Sequence, residues 1–471
     1  MKHYCKYPSC FLFVFFLFLS SSFSNASIRF PSVIGDRMVL QRNSTVSLWG
    51  WANKGERISV QANWNPDESY SAVASSNGKW EVRVKTPEAG GPYELTFQSA
   101  NDRKVIKDVL IGEVWVCSGQ SNMEMPLKGF ISQPVYESND IIAQSNNPQI
   151  RLFTVKRNIS ETPLEDCEGA WILSEPKEVA NFSAVAYIYG AYLYKILNVP
   201  IGLIHASWGG TPAEAWTDKE ILERSFKDIP IQLIEKSKHR SPAVLYNAML
   251  HPLIPYGIRG VIWYQGEGNR MNPTQYERLF PAMVTNWRQK WGIGEFPFYF
   301  VQIAPYRYDS DKNSAELREA QLKTMLSVPN TGMAVTLDVG EYSTIHPGNK
   351  VAVGKRLAYW ALAKTYHIEG IEYSGPVYKS MKIEGGEAIL DFSFAENGLT
   401  SLGKPLEGFS IAGSDKKFYP VKAIIKGKNV IVSSDSVPQP VAVRYGWDNY
   451  VEGYLYNNAG LPASSFRTDT W

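Results

Sequence analysis

The sequence predicts an α/β protein: a parallel β-sheet covered by helices on both faces, flanked at each end by a β-rich, sandwich-like module. Two textures carry this reading. Between about 109 and 370, short continuous apolar segments alternate with longer segments of helical period. Residues 28–108, and those after about 371, instead alternate apolar and polar residues between turn signals. Unbroken apolar strands separated by helices mark a parallel sheet buried on both sides, and strict alternation marks strands with one wet face. At 471 residues the chain is also too long for one ordinary core.

The elements follow in chain order. Lys2, His3 and Lys6 precede the apolar run "FLFVFFLFL" at 11–19, and "SNA" at 24–26 offers small residues for cleavage. Residues 1–26 therefore read as a secretory signal peptide cleaved near Ala26, and the mature chain is expected to be secreted or periplasmic. No later stretch is apolar enough for a membrane span. Two cysteines leave with the leader, and Cys117, inside an apolar strand, reads as a buried free thiol rather than a partner of Cys167. In 27–108, "VSLWGWA", "ISVQANW", "WEVRVKT" and "YELTFQS" are the strands of a small antiparallel sandwich.

The middle region, 109–370, supplies strands at "GEVWVCS", "PIGLIHAS" (200–207), "RGVIWYQ" (259–265), "FYFVQIA" (298–304) and "GMAVTLDV" (332–339). Helices are expected over 183–197, 275–291, 314–327 and 349–365. From 371 to 471, "AILDFSFA", "FYPVKAIIK", "NVIVSS" and "PVAVRYGW" restore the β texture.

Composition narrows the function. A net charge of +2 with scattered Lys and Arg gives no field for nucleic acid. The 14 Trp and 26 Tyr suit sugar faces, although they also fill cores. The histidines and two mature cysteines lack the spacing of a zinc site, so neither metal nor cofactor is expected.

Ligands of an open parallel sheet collect beyond the carboxyl ends of its strands. Here those ends carry "SGQSNM", "SWGGTPAEAW" (207–216), "QGEGN" (265–269) and "LDVGEYSTIHP" (337–347). Together they offer a hydroxyl, backbone amides on glycines, side-chain amides with a carboxylate, and an imidazole. Acyl transfer through a serine needs this set, because the hydroxyl must lose its proton to a base and the tetrahedral oxyanion needs fixed donors. Ser121 is the candidate nucleophile and His346 the candidate base. Ser121 N–H, Gly209 or Gly210, and an amide of Gln265 or Asn269 are candidate oxyanion donors. "GQSNM" lacks the second glycine of the α/β-hydrolase elbow.

"GQSNM", "SWGGT", "WYQGE" followed by Asn269, and "IHP" followed by Lys350 and "GKRLA" resemble the sialate O-acetylesterase family of SGNH-type hydrolases. The likeness extends from "DRMVLQR" (36–42) to the C-terminal "YGWDNYVEGYLYNNAGLPASSFRTDTW". It implies a flavodoxin-like three-layer hydrolase domain, with acetyl esters of sugars, sialic acids foremost, as substrates. Acetylated xylan or another plant polysaccharide is the alternative substrate. A glycan-binding protein on a hydrolase scaffold is the non-enzymatic alternative. SGNH-type enzymes carry a triad acid three residues before the histidine, and relatives often have Asp two residues before it. Ser343 and Thr344 stand there in this chain. The acid is then Glu341, ahead of Asp338 and Glu267, or the pair works as a dyad.

Overall fold

The computed structural model describes residues 1–4, 28–308 and 314–471; the expected signal peptide lies largely outside these. The chain is a mixed α/β protein with a large mixed sheet and further β-sheets. Its spine is one long strand, β1 (Arg103–Gly119), which runs unbroken past residue 108. The first half of β1 pairs antiparallel with Gly90–Gln98 and parallel with Val39–Gln41. Its second half enters the central sheet.

The central sheet adds β2 (Asn147–Thr154), β3 (Trp171–Ser174), β4 (Ile201–Ser207), β5 (Gly260–Tyr264), β6 (Phe298–Val301) and β7 (Thr331–Ala334), in the order β7-β6-β5-β1-β4-β2-β3. All neighbours are parallel except the antiparallel edge pair β2–β3. The edge pair was not anticipated: "NPQIRLFT" carries Pro148 and the buried Arg151, which interrupt the apolar run a sequence reading relies on. The expected strand over 332–339 stops at Ala334, because Thr336 turns its hydroxyl to the Gln302 carbonyl, 2.7 Å, rather than continuing the ladder.

Strand residues alternate between two cores, as the two-residue period of a pleat requires. Trp115, Cys117, Leu203, Ile262, Tyr264 and Tyr299 pack with helices α2 (Ala184–Leu197) and α5 (Lys350–Trp360). Val114, Val116, Ile204, Val261, Trp263 and Phe298 pack on the other side with α3 (Pro273–Trp291) and α4 (Ala315–Ser327). Cys117 and Cys167 are both buried free thiols. No helix of the described residues is long and apolar enough to cross a membrane.

The flanks show the expected alternation; "KWEVRVK" buries every second residue. "FYPVKAIIK" splits into Phe418–Val421 and Ala423–Lys426, which pair in different sheets. The C-terminal region is held to α4 by Arg318, fully buried. Its guanidinium donates to Ser465 Oγ (2.9 Å), Ser314 Oγ (3.1 Å), the Gly446 carbonyl (3.0 Å) and the Asp448 carbonyl. Arg318→Met keeps the volume but removes a donor from each acceptor, and although the Gly446 carbonyl keeps Ser465 Oγ–H (2.8 Å), an acceptor left buried and unpaired costs about 1–3 kcal/mol. A loss of roughly 3 kcal/mol or more is expected in denaturant unfolding; an unchanged midpoint would contradict this clamp.

Candidate active site

Position 119 fixes the site. Gly119 has φ +143°, and a Cβ there would lie 2.2 Å from the Tyr264 carbonyl oxygen, so β1 and β5 can converge only around a residue without a side chain. Gln120 N–H then donates to that same carbonyl at 2.9 Å. The chain next turns into the short helix α1 (Ser121–Glu124), pinned to the start of α2 by Ser183 Oγ on the Met123 carbonyl, 2.6 Å.

"GQSN" thereby has one task per residue. Gln120 Oε1 accepts from Gly268 N–H (3.0 Å) and Gly266 N–H (3.4 Å), holding the β5 loop. Asn122 is fully buried; its Nδ2 donates to Glu267 Oε1 (2.7 Å) and to the Ile345 carbonyl (3.0 Å), and its Oδ1 accepts from Lys350 Nζ (2.6 Å). Between them, Ser121 Oγ faces His346 Nε2 at 2.8 Å. A serine at a strand–helix turn is more often a plain cap, but here the cap residue is Gln120 and the hydroxyl is on an imidazole.

None of the three carboxylates considered from the sequence is hydrogen-bonded to His346. Glu341 is engaged elsewhere: its Oε1 accepts from Gly348 N–H (2.7 Å) and Tyr136 OH (3.1 Å). Asp338 is taken by a bidentate pair with Arg356, 2.7 and 2.6 Å. Glu267 is held by Asn122, and burial raises its pKa, offset in part by its hydrogen bonds and Lys350. Instead, His346 Nδ1 meets Gln133 Oε1 at 2.7 Å. Burial first, and the Lys350 ammonium second, lower the His346 pKa to about 4. Burial likewise pulls the Lys350 ammonium down to about 7 against the pull of Glu267 and Glu341.

The expected oxyanion donors divide. Gly209 lies against Ser121, and a Cβ on it would come 3.2 Å from Ser121 Cβ. Its N–H donates to Glu124 Oε2, and the other oxygen of Glu124 pairs with Arg157. Gly210 follows with φ +72°. Gln265 has both amide hydrogens engaged elsewhere, on the Thr211 carbonyl (3.2 Å) and Asn269 Oδ1 (2.7 Å). Asn269 Oδ1 also accepts from Ala213 N–H (2.8 Å), and its Nδ2 donates to Glu214 Oε2 (2.7 Å), leaving one amide hydrogen.

Sequence reasoning missed a cationic, aromatic wall beside Ser121. Arg157 lies 5.5 Å from the Trp208 ring, Trp208 stacks on His239 at 5.0 Å and 14°, and Arg240 approaches Gly210. Arg157 follows β2, so recognising that strand would have brought it to the carboxyl end of the sheet, where ligands gather. Gln133 carried no such signal. Arg270 and Arg307 rest on the rings of Tyr308 and Tyr342.

A hydroxyl on an imidazole at the carboxyl end of a parallel sheet defines a serine-type ester hydrolase site. The family described as "Carbohydrate esterase, sialic acid-specific acetylesterase" matches residues 111–363. The sialate O-acetylesterase of Rattus norvegicus is 32% identical, with 93% of this chain and 94% of that protein aligned. That of Homo sapiens is 30% identical over 93% and 92%. A carbohydrate acetylesterase structure from Xanthomonas citri is 39% identical with a TM-score of 0.87, covering 94% of this chain and all of that one. The chain belongs to this carbohydrate esterase family, and it is a serine esterase acting on acetylated sugars.

Gly119→Ala tests the convergence at the heart of the site. The methyl must displace the Tyr264 carbonyl, and the expected cost is about 2–3 kcal/mol of stability together with loss of esterase activity. A stable, fully active variant would show that the two strands have room to part.

Proposed function

We propose that the enzyme removes O-acetyl groups from sialic acids, with Ser121 as nucleophile and His346 as base. The observation that carries the chemistry is the 2.8 Å contact between Ser121 Oγ and His346 Nε2. His346 takes the hydroxyl proton as Oγ attacks the acetyl carbonyl, then returns it to the departing sugar oxygen, leaving an acetyl-enzyme. Water, deprotonated by the same Nε2, releases acetate and restores Ser121. Ser121 N–H, Gly209 N–H and the remaining amide hydrogen of Asn269 are the proposed oxyanion donors, with Gly210 shaping the turn that presents them. Glu267 and Glu341 hold the loops rather than touch substrate.

The sialate reading rests on the names of the relatives and on Arg157 and Arg240 beside Gly209 and Gly210. A sialic acid brings both an ester carbonyl and a carboxylate. The first can take over Gly209 N–H and the second Arg157, so an acidic substrate replaces both bonds that Glu124 makes, while a neutral sugar replaces one.

In architecture, residues 109–370 are proposed as a flavodoxin-like SGNH hydrolase domain between β-modules at 27–108 and 371–471. Export through the leader at 1–26 would place it outside the cytoplasm.

Three outcomes are expected. Ser121→Ala should lower kcat by on the order of 10⁴-fold or more, and a serine-directed phosphonate should label Ser121 alone; labelling elsewhere would remove it from the mechanism. Arg157→Ala should reduce acetate release from an O-acetylated sialoside about tenfold or more while sparing a neutral acetylated xyloside. Equal losses on both would turn the substrate assignment toward neutral glycans. The neutral imidazole is the working form and burial with Lys350 disfavours its protonation, so kcat/KM should stay level as pH falls from neutrality and decline only near pH 4. A limb near the ordinary histidine value would show that the ring is better hydrated or more anionic in its surroundings than the structure indicates.

A further inference from the structure

We propose that Gln133 occupies the place of the triad acid, so that the esterase works as a Ser121–His346–Gln133 relay with a neutral amide behind the histidine. The inference rests on the reading of Ser121 and His346 as the reacting pair. Gln133 is a positioning residue: it touches the base and not the substrate.

Its side-chain oxygen accepts from His346 Nδ1–H at 2.7 Å, which fixes the tautomer with the lone pair of Nε2 turned to Ser121 Oγ. The segment that carries it is built to hold that contact. Phe130 and Gln133 exchange both backbone bonds at 3.0 Å, and Gly129, at φ +83°, lets the Gln133 carbonyl approach to 2.5 Å of where a Cβ would stand. The Phe130 ring meets the His346 ring edge-on, centroids 5.4 Å apart. At the far end, Tyr136 N–H donates to the Gly348 carbonyl (3.0 Å) and Tyr136 OH to Glu341. Residues 129–136 thus grip the histidine loop at the ring and again two residues beyond it, and Glu341 serves the grip rather than the ring.

An amide performs only part of a carboxylate's work. It orients the imidazole and keeps one tautomer, but it adds no negative charge to stabilise the imidazolium. The charge that acts on the ring is Lys350 on α5, which in turn feels Glu341 on the histidine's own loop and Glu267 on the β5 loop, while Tyr136 of the gripping segment donates to Glu341. None donates to or accepts from Nδ1, so the ring depends on Gln133 for its orientation.

The test compares Gln133→Leu, Gln133→Glu, Ser121→Ala and His346→Ala on an aryl acetate, each with its melting temperature recorded. Gln133 is half-buried on a surface segment, so its variants should fold. Gln133→Leu should lower kcat about 10–100-fold with little change in KM. It should also abolish the downfield Nδ1–H proton resonance of the wild-type enzyme. Gln133→Glu should recover activity and move the acid limb of the pH profile upward by about one unit or more, because a carboxylate favours the imidazolium. If Ser121→Ala and His346→Ala are inactive while Gln133→Leu keeps kcat within twofold and Gln133→Glu leaves the limb in place, the relay is refuted and the pair is a dyad. Activity surviving in Ser121→Ala would instead remove the reacting pair itself.

Discussion

The site depends on two backbones meeting where neither has room for a side chain. Gly119 ends the spine strand against the Tyr264 carbonyl, and every reacting group is placed relative to that contact. Because β1 also carries the N-terminal sheet, the position of Ser121 is set by two packed regions at once. Glu113, at the middle of β1, reinforces the junction. It is fully buried, and burial alone would raise its pKa, yet Arg259 and Arg42 hold it below the ordinary carboxylate value. Arg42, Arg259 and Tyr366 reach it from three distant stretches of chain, at 2.5, 2.8 and 3.1 Å. Removing one partner from such a buried cluster leaves an uncompensated charge, which costs more than the pair contributes.

Beneath Ser121 and His346 lies a second constraint, the buried series Glu267–Asn122–Lys350. A carboxylate and an ammonium placed in direct contact would form a tight ion pair. Asn122 instead stands between them, its amide donating to one and its carbonyl accepting from the other. The arrangement spends both ends of Asn122 and leaves Ser121, one residue earlier, facing the ring. Burial first, and Lys350 second, keep the ring neutral. In the proposed role His346 is therefore a weak base that is already unprotonated near neutrality, rather than a strong one that must first lose a proton.

How much of this was legible in the sequence follows from what kind of signal each part leaves. The central strands β1, β4 and β5 are unbroken apolar runs, and a strand buried on both faces has little freedom to look otherwise. The loops after them held Ser121, Gly209 and Asn269 because chemistry concentrates where strands end. The edge pair β2–β3 was hidden by Pro148 and Arg151, and with it went Arg157. Glu341 was put forward as the acid behind His346, but a backbone N–H two residues past the ring donates to its carboxylate instead. Distances of that order separate one partner from another, and sequence spacing does not resolve them. Gln133 was invisible for a different reason: an amide between Ser132 and Pro134 has no periodicity, no charge and no motif, and acquires meaning only when the chain brings it 213 residues forward to His346.

The distribution of charge around the site explains why an amide can stand behind the histidine at all. Each nearby carboxylate is already committed: Asp338 to Arg356, Glu124 to Arg157 and Gly209, Glu267 to Asn122, and Glu341 to Gly348 and Tyr136. Moving any of them to Nδ1 would leave a cation, a backbone donor or, for Glu267, the buried Asn122 amide without its partner, at a cost of about 1–3 kcal/mol. A carboxylate added there afresh would bring its own desolvation penalty and would raise the basicity of the ring, so that more of it stood protonated, unable to accept from Ser121, at mildly acid pH. A neutral acceptor avoids both. It gives up electrostatic stabilisation of the imidazolium in the transition state in exchange for a base that is unprotonated over a wider range of pH. That exchange suits an ester substrate better than an amide, because a sugar oxygen leaves far more readily than an amide anion would and asks less of the protonated histidine when the tetrahedral intermediate collapses.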